Sequence, residues 1–366
     1  TTSMWDRPAA ASMLWFDELA TAAQQTEYRK LAGVDWRDQI ALFERNAARW
    51  HGAGDGRIRA ILGPVGPQWC SDELLQAATE ISLARHLPVH THTLESRMHA
   101  VQGEALYGKT IVEHLAEIGV LQPLFTLNHA IWLTDRDIEL IAAAGCCITH
   151  NPMSNLKLGA GIARVRDLLK AGIPVGLGSD GTSTSDRADA FRSLALAAIL
   201  HRVDAHDYET WTTAADAFAM ATSGAARTAG LERDAGIIEA GRFADISLID
   251  KSDYGLIPLK RPLSQLVYAV NSDAVRTVIV DGAVVMDERR LTRIDEQAIK
   301  AEIRDEAERY LRDHVPVMEA QARRFESYWR AAHMRVADTA IPADAARVRV
   351  GCTCGQRLSY RPPRPA

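Results

Sequence analysis

The chain has 366 residues, of which 47% are hydrophobic, and a formal net charge of −5 at pH 7. This length and composition are typical of a globular protein with a large core, and the slight acidity gives no basic surface of the kind that binds nucleic acid. No apolar run reaches the ~18 residues of a membrane-spanning helix. Five cysteines are too few for a disulfide framework, which favours a reducing, cytoplasmic environment.

Helical periodicity comes first along the chain and predicts helices over residues 13–25 and 36–50. After residue 57, short apolar runs alternate with amphipathic segments that carry helix-capping residues. The apolar runs predict buried strands at 58–62, 87–91, 124–127, 146–149 and 173–177. The segments between and after them predict helices at 72–86, 111–118, 135–144, 163–171 and 188–203. This alternation indicates right-handed βαβ units and a parallel sheet.

The strand count suggests an α/β fold of the TIM-barrel type that is incomplete at its start. Five strands are visible, at most the end of one more precedes them, and a closed barrel needs about eight. We therefore expect residues 1–235 to form a (β/α)8 barrel lacking its first two or three strands. An open barrel exposes strand edges, so we expect the chain alone to be poorly soluble or to be completed by a partner surface.

The pattern changes after residue 235. Short β-like runs and glycine turns over residues 236–294 predict the C-terminal part of a small β-sandwich domain. Residues 295–336 read as a charged helical extension, and residues 337–366 as a disordered tail rich in Ala, Pro and Arg. Cys352 and Cys354 lie in that tail, where a single Cys-x-Cys pair is a weak metal signal.

Ionisable side chains recur where the predicted strands end, which is where the catalytic groups of parallel barrels lie. Four successive strand ends contribute at least one each, a recurrence that favours a functional site over isolated core residues. His90 and His92 alternate along one strand and so point to the same side. The set is, in chain order, His90, His92, Glu95, His129, His150 and Asp180.

Each member also has a structural alternative. His92 and Glu95 suit a metal ligand and a nearby proton carrier, or a surface pair. Asp180 suits an anionic ligand or base, or a turn residue in Gly-Ser-Asp-Gly. His129 suits a metal ligand or a substrate contact. His150 precedes Asn-Pro, and its structural alternative is a residue that only orients its neighbours.

Other histidines carry less information. For His90 the sequence favours neither of two interpretations, a residue that supports the site or a buried core histidine with its hydrogen bonds satisfied. His86, His99 and His114 fall on predicted helices, where we expect structural roles. His90-Thr91-His92 has the His-x-His form expected on a first barrel strand. Only two apolar runs separate it from Asp180, however, so His92 belongs to the fifth strand and Asp180 to the eighth.

These segments resemble the amidohydrolase superfamily, in its branch of nucleobase, adenosine-type and triazine aminohydrolases. The resemblance extends from about residue 58 to residue 303, and the tail after about residue 335 does not share it. It rests on VHTHTLES (89–96), LNHAIWLT (127–134), HNPMSNLKLG (150–159), GIARVR (161–166), VGLGSDG (175–181), GIIEAGRFAD (236–245) and VIVDG (278–282).

The resemblance implies a role for each matching residue. His92 and Asp180 resemble ligands of one divalent metal, zinc or else iron, and Asp180 also takes a proton from the metal-activated water. Glu95 resembles the acid/base that protonates a substrate ring nitrogen. His129 resembles the residue that orients the attacked group or the water. Further candidate substrate contacts implied by the matching segments are His150, Asn155 and Trp132.

The implied activity is deamination of an N-heteroaromatic compound such as a purine, pyrimidine or pterin. One alternative is hydrolysis of other C–N bonds or of the C–Cl bond of triazines. A second is a non-catalytic protein, because the family's first-strand His-x-His does not precede His92. The expected partner is a small-molecule substrate, with neither nucleic acid nor membrane, and a homodimer is the expected assembly.

Overall fold

The computed structural model describes residues 2–31, 33–204 and 207–345. Its strands belong to two sheets. The first sheet contains β1 (Thr2–Met4), β2 (Leu62–Pro64), β3 (Val89–Thr93), β4 (Phe125–His129), β5 (Cys147–His150) and β6 (Val175–Leu177). The second contains β7 (Ile246–Ile249), β8 (Val275–Val280), β9 (Ala283–Asp287) and β10 (Arg290–Leu291).

Helices connect and surround these strands. Before β5 they are α1 (Phe16–Leu19), α2 (Ala22–Tyr28), α3 (Trp36–Trp50), α4 (Asp72–Arg85), α5 (Arg97–Tyr107), α6 (Ile111–Glu117) and α7 (Asp135–Ala144). After β5 they are α8 (Pro152–Lys157), α9 (Val165–Lys170), α10 (Thr182–Ser185), α11 (Ala190–Ile199), α12 (Ala214–Ala219), α13 (Ala225–Thr228), α14 (Pro262–Tyr268), α15 (Glu296–Asp313) and α16 (Val315–Asp338). A π-helical turn, Met220–Gly224, joins α12 to α13.

The first sheet is parallel, and its strands lie in chain order from β1 to β6. Each strand therefore pairs with its predecessor through a helical connection, as the alternating pattern predicts. Leu62, Val89, Phe125, Leu127 and Ile148 are buried and form the core beneath the helices. The α/β class with a parallel sheet is confirmed. Within the described residues β1 and β6 are the two edges, and the number of further barrel strands stays a prediction.

Most predicted helices begin at the expected capping residue. Thr110 and Thr134 each accept a hydrogen bond from the backbone three residues on, and the acidic side chain there bonds back. Gly145 ends α7 in the left-handed region at φ 69°, where glycine has no steric penalty. Local chemistry thus determines these boundaries.

Two predictions in the first third of the chain were wrong in detail. The helix expected over 13–25 is two short helices, because Ala20 is extended and Thr21 caps a new helix, α2. The strand expected at 58–62 begins only at Leu62, and Ile58 is largely exposed. Residues 51–57 form a turn instead, which delays the chain's entry into the sheet.

The second sheet is antiparallel, in the order β10-β9-β8-β7, and follows the predicted change of character after residue 235. Ile237 and Ile238 lie before it and form no strand. The predicted helical extension is α15 followed by α16. Whether this sheet belongs to a larger sandwich, and where domain boundaries fall, stay predictions.

The described part of the predicted tail is ordered, contrary to expectation. Ala345 is 1% exposed, and the Asp344 carboxylate accepts a hydrogen bond from the Asp135 backbone N–H at 2.7 Å. The apolar Ile341 also packs on the core, which explains why a low-complexity segment is held. Cys352 and Cys354 lie outside the described residues. Among the described helices, none is long and apolar enough to cross a membrane.

Candidate active site at the strand ends

The polar series predicted from the sequence lies along one edge of the parallel sheet. Register places Thr93 beside His129, and His150 beside Leu177, so these strand ends are level. The backbone turns sharply just after them, with positive φ at Leu94 (48°), His129 (69°) and Asp180 (60°). Such conformations are costly for residues with a Cβ and cluster at functional sites.

Two imidazoles form the centre of the site. The rings of His92 and His129 stack with centroids 5.6 Å apart and planes 21° apart. Nδ1 of His92 lies 2.5 Å from the Val65 carbonyl oxygen, and Nδ1 of His129 lies 2.8 Å from Asn155 Oδ1. Because both partners are acceptors, each Nδ1 must carry the proton. In the neutral ring, each Nε2 therefore keeps a lone pair.

Glu95 lies against this pair. Its Oε1 is 3.9 Å from Nε2 of His129, and its side chain is about one-fifth exposed. The strand β3 and its following loop thus bring His92 and Glu95 to the same place, as predicted. At this distance, the Glu95 carboxyl and the His129 ring can both contact the same small ligand.

Asp180 is held by donors on both oxygens. Ser154 Oγ donates to Oδ2 at 2.5 Å, and the Gly181 backbone N–H donates to Oδ1 at 2.7 Å. Partial burial acts to raise the pKa of Asp180. The Ser154 and Gly181 hydrogen bonds, together with the electrostatic interaction with His129, outweigh it, so the pKa is lowered. Asp180 is therefore ionised at neutral pH, as a ligand or base must be.

His150 is placed behind the site. It is fully buried, and neither ring nitrogen has a hydrogen-bond partner within the described residues. Burial lowers its pKa well below the usual value, with the charges of His201 and His129 acting the same way. Its ring lies 5.6 Å from that of His201. A neutral ring in this position can pack behind the strand-end residues and hold them in place.

Other predicted residues make structural contacts. Trp132 donates its indole N–H to the Ala160 carbonyl at 2.9 Å and lines a separate cavity with residues 340–342 and Ala345. Asn155 is buried, and its described side-chain contact is to His129. His90 lies 2.5 Å from the Thr228 carbonyl, away from the other rings. The structure therefore brings together His92, Glu95, His129, Asp180 and Asn155.

The donor set suits a divalent metal in chemistry. Neutral imidazole and carboxylate are usual ligands of zinc, and a carbonyl behind each imidazole is the usual second contact of a metal-binding histidine. Within the described residues, however, no group of three or more His, Cys, Asp or Glu side chains is arranged to hold an ion. His92 and Asp180 fit as part of such a site, and it needs further ligands.

A residue that the sequence assigns only a structural role also borders the site. His99 on α5 is buried, and its Nδ1 accepts the Glu95 backbone N–H at 3.3 Å. The signal was present in the sequence, because His99 follows Glu95 by four residues at the start of a helix. It was overlooked because a helical histidine is usually a core or surface residue.

Comparison with known proteins places this site in a family. The sequence profile described as "Amidohydrolase family" matches residues 20–285. The chain belongs to the amidohydrolase family. Two relatives of this amidohydrolase chain are deaminases. A 5-methylthioadenosine/S-adenosylhomocysteine deaminase of Dictyoglomus thermophilum is 35% identical over 302 residues, 80% of this chain and 70% of the relative. A 5'-deoxyadenosine deaminase of Methanothermobacter thermautotrophicus is 36% identical over 249 residues, 68% and 58% respectively.

Solved structures are similar as well. An adenosine deaminase from Xanthomonas campestris with bound zinc superposes with a TM-score of 0.72 at 29% identity, covering 76% of this chain and 63% of that one. Atrazine chlorohydrolase from Arthrobacter aurescens, complexed with zinc, gives 0.71 at 30%, covering 74% and 60%. The amidohydrolase chain thus spans about 58–70% of the length of these proteins. These relatives confirm the predicted family and its branch, which contains deaminases and triazine hydrolases.

Proposed function

We propose that this chain carries the acid/base half of a metal-dependent aminohydrolase that removes the amino group of a purine-type nucleoside. The observation that carries the proposal is the grouping of Glu95, His129 and His92 at adjacent strand ends, with ionised Asp180 on the same rim. The deaminase relatives support the purine class.

His92, through Nε2, and Asp180 are the residues that would hold the metal, and zinc is the first candidate because two similar structures contain it. When bound, such an ion supplies a water acidic enough to attack at about neutral pH. Further ligands would have to complete the set, since the described residues provide fewer than three.

The chain's own residues divide the proton transfers. Asp180 accepts a proton from the attacking water, and Ser154 and Gly181 hold its carboxylate in orientation. As the water oxygen bonds to the amino-bearing ring carbon, Glu95 donates a proton to the adjacent ring nitrogen. The amino group then takes the proton held by Asp180 and leaves as ammonia. The hydroxyl group on the same carbon gives its proton back to Glu95, which yields the oxo product and restores the acid.

His129 orients the reactants. Its Nε2 lone pair accepts a hydrogen bond from the water or from the departing amino group, and Asn155 keeps the ring in this tautomer. His150 is buried behind the site and Trp132 lines a separate cavity, so we assign neither of them a direct contact with the substrate.

The test is Glu95→Gln in the zinc-loaded chain with 5'-deoxyadenosine as substrate and ammonia release as readout. We expect turnover to fall at least about 100-fold, because the variant cannot donate the proton. Bound zinc, measured by mass spectrometry, should not change. Glu104→Gln, at an exposed position of α5, is the matched control and should behave as the parent chain.

The contrary outcomes separate the alternatives. Loss of zinc together with turnover would make Glu95 a ligand and overturn its role. Chloride release from atrazine without ammonia release from the nucleoside would favour the triazine-hydrolase alternative, which the second solved structure represents. A chain that binds no zinc and turns over neither compound would be a non-catalytic member of the family.

A further inference from the structure

A cavity of about 460 Å³ lies beside the strand-end residues. It is bounded by the segment after β1, the loop after β2, α5 and α16, and its wall is largely aromatic and sulfur-containing. Val65, whose carbonyl holds His92, is part of the lining, so the cavity adjoins the site. The aromatic walls are Trp5, Tyr28, Trp69 and Trp329. Pockets for small molecules commonly measure ~300–1,000 Å³ and are mostly apolar with a few polar groups.

His99 is one polar group in this wall. It is 7% exposed, and its ring meets Trp69 edge to face at 5.6 Å. Burial lowers the pKa of His99 to about 3, and the electrostatic interaction with His129 and His92 acts in the same direction, so the ring is neutral. Because Nδ1 accepts the Glu95 backbone N–H, the ring proton must be on Nε2. His99 is therefore a hydrogen-bond donor of fixed orientation, tied directly to Glu95.

Gln102 is a second polar group, one helical turn further along α5 and so on the same face. It is 4% exposed, and its Nε2 donates to the Ser12 carbonyl at 2.5 Å. That contact fixes which end of the amide is nitrogen. The other end, Oε1, is buried and has no hydrogen-bond partner within the described residues. A buried acceptor left unpaired costs about 1–3 kcal/mol.

We propose that this cavity binds the sugar of the nucleoside substrate, with one hydroxyl accepting from His99 Nε2–H and donating to Gln102 Oε1. The inference rests on the proposed function and names the substrate class more closely. A hydroxyl both donates and accepts, so it satisfies both wall groups. A purely alkyl substituent would leave the Gln102 acceptor unpaired.

The same wall selects an uncharged 5' substituent. Met13, Met98 and Trp329 offer apolar surface, and burying a charged group against it without a partner is costly. Arg7 is the cation in the lining, but its guanidinium already lies 3.8 Å from Asp72 and over the Tyr107 ring. An uncharged 5' substituent therefore fits this wall better than a charged one.

The experiment measures binding rather than turnover. The zinc-loaded chain is titrated by calorimetry with 5'-deoxyinosine, the deaminated nucleoside, and with hypoxanthine, the deaminated base alone. We expect the nucleoside to bind at least about tenfold more tightly than the base. Gln102→Met and His99→Phe should each weaken nucleoside binding about fivefold to tenfold and leave base binding unchanged. Gln297→Leu, at an exposed position of α15, is the control.

Each outcome decides the question. Equal affinity for nucleoside and base in the parent chain, or equal weakening of both in the variants, overturns the sugar assignment. The two variants are independent, so if one fails to fold the other still tests it. Nucleoside binding without any ammonia release would refute the proposed function and leave this inference standing. Deamination by the parent chain, with nucleoside affinity unchanged in both variants, would support the proposed function and refute this inference.

Discussion

At the scale of single residues, the orientation of the two central imidazoles depends on acceptors that come from elsewhere in the chain. Val65 follows β2 and holds His92, and Asn155 lies on α8 and holds His129. The sequence predicts both histidines from their position at strand ends. It gives no sign of Val65, because a backbone carbonyl is available at every residue and only the fold selects one.

Asn155 illustrates a related point. The sequence motif predicts it to be close to the substrate, and the structure places its carboxamide on the far side of the His129 ring. Its proximity to the site follows from the motif. The atom it contacts depends on how α8 packs, which no local pattern encodes.

The pH dependence of stability is a residue-scale prediction for His99. Its pKa is about 3 in the folded chain and ~6.5 when unfolded, so in that window the unfolded chain binds a proton that the folded chain cannot. The unfolding free energy therefore falls as pH drops below about 6.5. Between pH 7 and pH 5 this one group should contribute a loss of about 2 kcal/mol.

Urea unfolding at the two pH values measures this contribution. His99→Phe should reduce the loss between pH 7 and pH 5 by about 2 kcal/mol, since the titrating group is removed. His86→Asn, at an exposed helix end, should leave the loss unchanged. If His99→Phe shows the full acid loss of the parent chain, the ring is not buried neutral and its role as a fixed donor fails.

At the scale of elements, capping residues and apolar runs predicted most helices and strands to within a few residues. Helix α3 spans the predicted 36–50, and β3 to β6 each begin one or two residues after the predicted start. Errors arose where competing signals overlapped. Apolar residues on both sides of Thr21 suggested one helix, but Thr21 caps a second one.

The capping box of α7 gives an element-scale prediction. Thr134 accepts the Asp137 backbone N–H at 3.0 Å, while Asp137 accepts the Thr134 N–H at 2.8 Å. Thr134→Ala removes the first bond and should lower the unfolding free energy by about 1 kcal/mol.

Chemical denaturation with circular dichroism measures the change. Thr26→Ala, at an exposed position within α2, should change the unfolding free energy by less than about 0.5 kcal/mol. Equal effects of the two substitutions would mean that the box does not stabilise the start of α7.

At the scale of the whole molecule, the C-terminal helix joins the two ends of the described chain. Tyr328 of α16 is buried, packs edge to face on Phe16, and donates its hydroxyl to the Leu14 carbonyl at 3.0 Å. The following segment packs against α5 and α7. The second helix of the predicted extension, α16, thus packs into the structure, whereas α15 has no buried residue. Trp329 of α16 lines the cavity beside Glu95.

Arg97 anchors this arrangement and supports a prediction at the same scale. Its guanidinium donates to the Val336 carbonyl at 3.0 Å and to the Thr339 carbonyl at 2.7 Å. Arg97→Met should free the segment after α16, because hydrogen bonds from a charged donor contribute about 1.5–3 kcal/mol each.

Hydrogen exchange followed by mass spectrometry checks this. Amide exchange in residues 339–345 should speed up by about tenfold or more in Arg97→Met. Arg136→Met removes an exposed ion pair on α7, which contributes little, and should leave exchange unchanged. Unaltered exchange in both variants would show that other contacts hold the segment.

The sequence by itself determined the parallel α/β order, most element boundaries and the row of strand-end residues that includes His92, Glu95, His129 and Asp180. The hydrophobic period, the helix caps and the strand ends are encoded by residues close together in the sequence, so a single sequence predicts them. Tertiary structure alone decided the acceptors behind the histidines, the cavity at His99 and Gln102, and the docking of α16. These depend on contacts between residues far apart in the chain, from 26 positions for His129 and Asn155 to 314 for Leu14 and Tyr328. Packing of the folded chain, not local pattern, selects such partners.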